Sequence, residues 1–264
     1  MKIKLFIVIV ACLFFASSRA QSVDEYIEAA EQGDANAQAI LGAIYFDGNS
    51  IPKDCIEARK WFKRSADQGN AIGQWGMGLL YYHGCGTETN LSEAVRWLKM
   101  SAEQGYAFAQ SDLASCYENG RGVAKDYSEA VKWYMKAAEQ GHSGAQLQLG
   151  ICYKQGRGVN KNFAEAVKWY RKSAEQGNAM AQANLGFCYY SGHGVKQDYY
   201  EAVKLYMMAA EQGNAYAQNN IGVCYENGHG VAKDKKEAIR WYKIAAKNGN
   251  QQAQTALSKL NETW

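Results

Sequence analysis

Residues 214–249 read NAYAQNNIGVCYENGHGVAKDKKEAIRWYKIAAKNG, and residues 178–213, directly before them, read NAMAQANLGFCYYSGHGVKQDYYEAVKLYMMAAEQG. The two lines align without a gap. The same step continues outward, with Gly33, Gly69, Gly105, Gly141, Gly177, Gly213 and Gly249 each 36 residues apart. An unbroken period of this length marks a stack of identical supersecondary units. Six full units fill 34–249, a half unit stands at 21–33 and a C-terminal capping helix at 250–264. Of the 26 glycines, 23 keep this register, so they belong to the architecture rather than to a phosphate-binding loop.

Each unit spells two antiparallel helices. The second opens on Asp or Asn followed three residues later by Glu, as in Asp54 and Glu57, Asn90 and Glu93, or Asp198 and Glu201. This is a capping-box start, in which the Asp or Asn side chain accepts an early backbone N–H and the Glu reaches back. The helix ends at Ala-Glu-Gln-Gly, where glycine takes the left-handed conformation. The first helix follows at once, with Asp34, Asn70, Asn178, Asn214 and Asn250 as caps. Apolar columns recur at spacings of three and four, such as Ala37, Leu41 and Ile44 on the first helix and Ala58, Trp61, Phe62 and Ala66 on the second. That spacing buries one face of each helix. A single proline in 264 residues fits short, stereotyped connections.

These residues carry a resemblance. The pattern Ala-x-Ala-Gln-x-x-Leu-Gly-x-Cys-Tyr-x-x-Gly-x-Gly-Val-x-x-Asp-x-x-Glu-Ala-Val-x-Trp-Tyr-x-x-Ala-Ala-Glu-Gln-Gly, readable from Ala107 or Ala215, is similar to the Sel1-like repeat, a relative of the tetratricopeptide repeat. It implies an all-α fold, a right-handed α-solenoid of 36-residue helix-turn-helix repeats, with the first helices lining the concave side. Departures are few, among them Pro52 in the first loop, Leu205 at the tryptophan position and Asn261 at the tyrosine position.

Composition and targeting narrow the function. The formal charge of +3 falls to zero once residues 1–20, holding Lys2, Lys4 and Arg19 and no acid, are set aside, which argues against a nucleic-acid surface. Lys2 and Lys4 precede an apolar run from Leu5 to Ala16, and Ser18 and Ala20 bracket Arg19. The stretch reads as a secretory signal peptide cut after Ala20, since about a dozen apolar residues fall short of the roughly 20 that span a bilayer. Export to the bacterial periplasm or beyond is the expectation, with lipid anchoring at Cys12 as the lesser alternative. Asn90 and Asn261 begin acceptor-like triplets for glycans.

Cys116, Cys152, Cys188 and Cys224 share one column with Ile44, Leu80 and Leu260, an apolar core position. Neighbouring units place such positions on the order of 10 Å apart, beyond the roughly 7 Å Cα limit of a disulfide, so four free buried thiols are expected. Cys55 and Cys85 fall elsewhere and are left as a candidate disulfide. The capping-box glutamates recur as structural positions. His193 and His229 share a loop column, but adjacent loops are spaced too widely for one zinc ion. No catalytic constellation departs from the repeat background, and no cofactor or metal is expected.

Function then falls to positions that the frame leaves free. One face of the first helices changes identity from unit to unit. Its candidate partner-binding residues are Ile72, Leu79, Phe108, Asp112, Gln148, Ile151, Met180, Asn184, Phe187, Tyr216, Asn220 and Val223, extended by Trp75, Tyr82 and Tyr190. Aromatic and methionine side chains on such a face suit a protein or peptide partner. The expectation is a monomeric, exported, non-enzymatic adaptor, and family members commonly serve in membrane or envelope assemblies. The alternative is β-lactam binding or slow β-lactam hydrolysis, which the resemblance attaches to cysteine-rich secreted members. Those members pair two cysteines inside each repeat, and this chain has one per repeat.

Overall fold

A computed structural model of the chain describes residues 22–263. The expected signal segment and Cys12 lie outside the described residues. Among those described there are fourteen α-helices and no strands. The first helices are α2 (Ala35–Asp47), α4 (Ala71–His83), α6 (Ala107–Asn119), α8 (Ser143–Gln155), α10 (Ala179–Ser191) and α12 (Ala215–Asn227). The second helices are α3 (Cys55–Asp67), α5 (Leu91–Glu103), α7 (Tyr127–Glu139), α9 (Phe163–Glu175), α11 (Tyr199–Glu211) and α13 (Lys235–Lys247). Helices α1 (Val23–Glu31) and α14 (Gln251–Lys259) flank the array. The chain divides into two compact units, one ending at Ala137 and the other beginning at Ala138. Within each, helices pack on their neighbours in sequence, as α2 on α3 and α4 on α5 in the first unit and α8 on α9 and α10 on α11 in the second, which is the arrangement of a helix-pair solenoid.

The caps form largely as the sequence predicts, with one correction. Asp54 Oδ1 accepts the backbone N–H of Ile56 at 2.8 Å and of Glu57 at 3.0 Å, and Asn162 does the same for Ala164 and Glu165. The reciprocal half of the capping box is not made. The backbone N–H of Asp54, Asn90, Asp198 and Asp234 instead donates to the carbonyl of Tyr45, Tyr81, Tyr189 and Tyr225 on the preceding first helix. That donor being taken, the Glu side chains turn outward. Glu57 accepts from Lys60 and from the Trp61 indole, and Glu93 pairs with Arg96.

The core of the first unit gathers Tyr26, Leu41, Ile44 and Trp61 in one cluster and Phe62, Met77, Leu80 and Trp97 in the next. In the second unit Tyr170, Tyr206 and Tyr242 are buried in successive clusters. Small residues set the helix spacing. A Cβ placed on Gly150 would come within 2.6 Å of the Tyr170 ring, closer than van der Waals contact allows.

A column that the sequence shows but does not explain holds neighbouring repeats together. Gln38, Gln74, Gln110, Gln146, Gln182 and Gln218 are all buried. In the first unit Gln38 Nε2 donates to the Ala30 carbonyl at 3.0 Å, while its Oε1 accepts from Gln68 Nε2 at 2.8 Å. In the second unit Gln182 donates to Ala174 and accepts from Gln212 at 2.9 Å. In both cases the donor bond reaches back across the repeat boundary and the acceptor bond ties the two helices of one repeat, so the buried amide has partners for its donor and its acceptor.

Cys55 and Cys85 are joined by a disulfide with a Cα–Cα distance of 5.2 Å, whereas Cys116, Cys152, Cys188 and Cys224 are free and buried. The bridge spans thirty residues and links consecutive repeats. In the second unit the same separation is filled by rings: His193 stacks on Phe163 at 4.7 Å, and His229 on Tyr199 at 4.3 Å and 8°.

Candidate partner-binding site

The variable face of the first helices is positioned by the frame just described, because helix caps and the glutamine column fix each first helix against its neighbours. The face is partly covered. In the second unit Met180 is 43% exposed and Tyr216 39%, while Gln148, Ile151, Asn184, Phe187, Tyr190, Asn220 and Val223 are half-buried. In the first unit Ile72, Leu79, Tyr82, Phe108 and Asp112 are half-buried. Trp75 departs from the expected lining role, since at 3% exposure it lies within the packed interior and not along the surface. It replaces the small Ala39 and Ala183 of equivalent positions, so a large ring must sink between the helices.

Two groups of these residues come together. In the first unit the Trp75 indole N–H donates to Asp112 Oδ2 at 2.8 Å, and its ring lies 5.6 Å from Tyr106 and 6.1 Å from Phe108. Tyr106 and Phe108 are themselves 5.5 Å apart. Burial pushes the Asp112 carboxyl up to about 6, against a smaller downward pull from the indole hydrogen bond. Burial, and secondarily the Asp112 charge, also raises the Tyr106 phenol. In the second unit Tyr190 hydrogen-bonds His229 Nδ1 at 2.9 Å and meets Tyr199 edge-on, while Phe187 carries Lys154 over its face at 5.0 Å and His193 at its edge. Elsewhere in the first unit, the Arg121 guanidinium donates to the Tyr82 hydroxyl. Asn184 donates to the Met180 carbonyl at 2.9 Å, and Ile151 and Val223 pack against core clusters of the second unit.

Tyr106 was not among the residues predicted from sequence, although a signal existed. It stands in the column of Asp34, Asn70, Asn178 and Asn214, and it alone of the first-helix N-caps makes no side-chain capping bond. His142 fills the same column differently, its Nδ1 accepting the Ala145 N–H at 3.0 Å.

Among the described residues no three His, Cys, Asp or Glu groups converge to hold a metal ion. The core thiols are poor nucleophiles, because burial raises Cys116 and Cys188 to about 11 and Cys224 to about 12. The disulfide joins two repeats rather than closing within one. No described helix is long and apolar enough to cross a membrane.

The model of the Sel1 repeat matches six times, at residues 35–70, 71–106, 107–142, 143–178, 179–214 and 215–250. Among solved structures, the chain is similar to c5321, a protective antigen present in uropathogenic Escherichia coli strains that displays an SLR fold. The two share 36% identity with a TM-score of 0.81 over 98% of this chain, which spans 56% of the antigen's length. It is also similar to a Sel1 repeat protein from Oxalobacter formigenes, with 41% identity and a TM-score of 0.71, covering 77% of this chain and 86% of that one. No curated protein sequence matches.

Proposed function

We propose that this chain, which belongs to the Sel1 repeat family, is an exported, non-catalytic scaffold that holds a protein or peptide segment along its first-helix face. The observation that carries the reading is the contrast between columns. Caps, glutamines, core alanines and aromatics repeat unit after unit, while the first-helix face presents Ile72, Phe108, Met180, Phe187 and Tyr216 among amides at equivalent positions. Partly exposed aromatic and methionine groups that change from unit to unit are not required by the repeat frame, and they are the residue types that anchor interfaces. Export is supported by the basic and apolar N-terminal sequence and by the Cys55–Cys85 disulfide, a bond that persists in oxidising compartments.

The test is affinity capture from an envelope extract with identification by mass spectrometry. Phe108→Ala, Phe187→Ala and Tyr216→Ala combined are expected to preserve the helical circular dichroism and lower retention of the captured protein by about tenfold or more. A control that combines Ile56→Ala and Tyr200→Ala, 74% and 73% exposed on second helices, is expected to retain it fully. Equal retention by the wild type and the triple variant, or loss in the control alone, overturns the reading.

A further inference from the structure

In the first unit, four departures from the repeat converge on one spot. Trp75 stands where other units carry Ala39, Leu147 or Ala183, and Tyr106 stands where they carry a capping Asp, Asn or His. Phe108 is the only phenylalanine in its column. Asp112 is the only charged residue in the column of Ile40, Gly76, Gln148, Asn184 and Asn220. Independent drift would scatter such changes along the helices. Here they touch, with ring separations of 5.5 to 6.1 Å and the indole fixed to Asp112 Oδ2 at 2.8 Å.

The arrangement is electrostatically incomplete. Asp112 is half-buried and, among the described residues, takes one hydrogen bond, from Trp75, with no Lys or Arg paired to it. A carboxylate held away from water without a counter-charge is costly. The frame has also given up a helix cap at Tyr106, worth about an asparagine-to-alanine change elsewhere. Tyr106 and Phe108, both half-buried, gather around the same indole, and aromatic faces attract cations.

We propose that Asp112, with the Tyr106 and Phe108 rings beside it and Trp75 beneath, forms a pocket that accepts a basic side chain, the ammonium or guanidinium of a Lys or Arg in the partner polypeptide. The cation supplies the charge that the carboxylate lacks and covers the aromatic faces. Trp75 acts as a positioning residue that fixes the carboxylate. This assignment rests on the first-helix face being the binding surface, and it adds the chemistry read there.

The probe is a set of three blocked pentapeptides, Gly-Gly-X-Gly-Gly, with X as Lys, Arg or norleucine, titrated while the indole N–H resonance of Trp75 is followed by 15N NMR. That resonance is assigned through Trp75→Phe. The Lys or Arg peptide, or both, is expected to shift it in a saturable way with a Kd of roughly 1–10 mM, which identifies the preferred cation. The norleucine peptide is expected to leave it in place. Asp112→Asn keeps the shape and an acceptor for the indole, and is expected to weaken the response by at least about tenfold while the remaining amide spectrum and the melting temperature stay close to those of the wild type. Asp112→Leu provides a second loss-of-charge variant. No saturable shift with either basic peptide, or an undiminished shift in both Asp112 variants, overturns the pocket. Capture that is lost on Phe187→Ala with Tyr216→Ala and kept on Asp112→Asn, together with silent peptides, would refute the pocket and leave the binding face standing. Responsive peptides with capture indifferent to every face variant would do the reverse.

Discussion

At position 142 the cap column carries a histidine, and the consequence is a pH dependence that an asparagine cap does not bring. Neutral His142 accepts the Ala145 N–H at Nδ1, and burial holds its pKa down at about 4. A folded-state value below the ordinary 6.5 means that the unfolded chain binds the proton more readily. The stabilisation is complete above about pH 6.5 and drains away as pH falls toward 4. His142→Asn, which installs the cap of neighbouring repeats, is expected to outlast the wild type by on the order of 2–3 kcal/mol near pH 4 relative to pH 7. Denaturant unfolding of both proteins across that range checks it; a stability difference that does not change with pH contradicts it. Burial acts on the thiols too. With a pKa near 11, Cys116 and Cys188 are thiolate in roughly one molecule in a thousand at pH 8, against about one in four for an ordinary cysteine. Native protein is expected to resist a thiol reagent at Cys116, Cys152, Cys188 and Cys224 and to titrate all four on denaturation, with Cys55 and Cys85 reacting only after reduction. Rapid native labelling of that column contradicts its burial.

Between elements, the glutamine column carries the polar half of the inter-repeat contact. Gln182→Leu removes the donor to Ala174 and the acceptor for Gln212, while the Ala174 carbonyl keeps the Gly177 N–H. The expected cost is about 1–3 kcal/mol, measured as a lower urea midpoint with an unchanged slope. An unchanged midpoint would show that water takes over both bonds. Helix positions, caps and core columns were legible because the period repeats each signal six times, so Asp54 or Trp61 never has to be judged alone. The glutamine was visible but mute, since its partners lie 8 residues before it and 30 after, separations that no helical periodicity announces. The capping box misled for a related reason: sequence places Glu57 in reach of the Asp54 N–H, and only the fold reveals that the Tyr45 carbonyl already occupies that donor. The Cys55–Cys85 bridge and the His229–Tyr199 stack share that thirty-residue register, which becomes meaningful only once the helices are in place.

For the molecule as a whole, the division of labour between a repeated frame and a variable face is the central claim, and it makes function a property of a surface rather than of a few reactive groups. The face itself could be read from the columns that change. How deeply each member sits could not: Trp75 shares a buried column with Ala39 and Ala183, whereas Met180 and Tyr216 share one in which both stay exposed. The most direct measurement places a photo-cross-linking phenylalanine derivative, one position at a time, at Met180, Phe187 and Tyr216 on first helices and at Ile56, Met100 and Tyr200 on second helices, in protein produced in its native compartment. Cross-links to another polypeptide from the first set and none from the second are predicted. Cross-links confined to the second set would contradict the account.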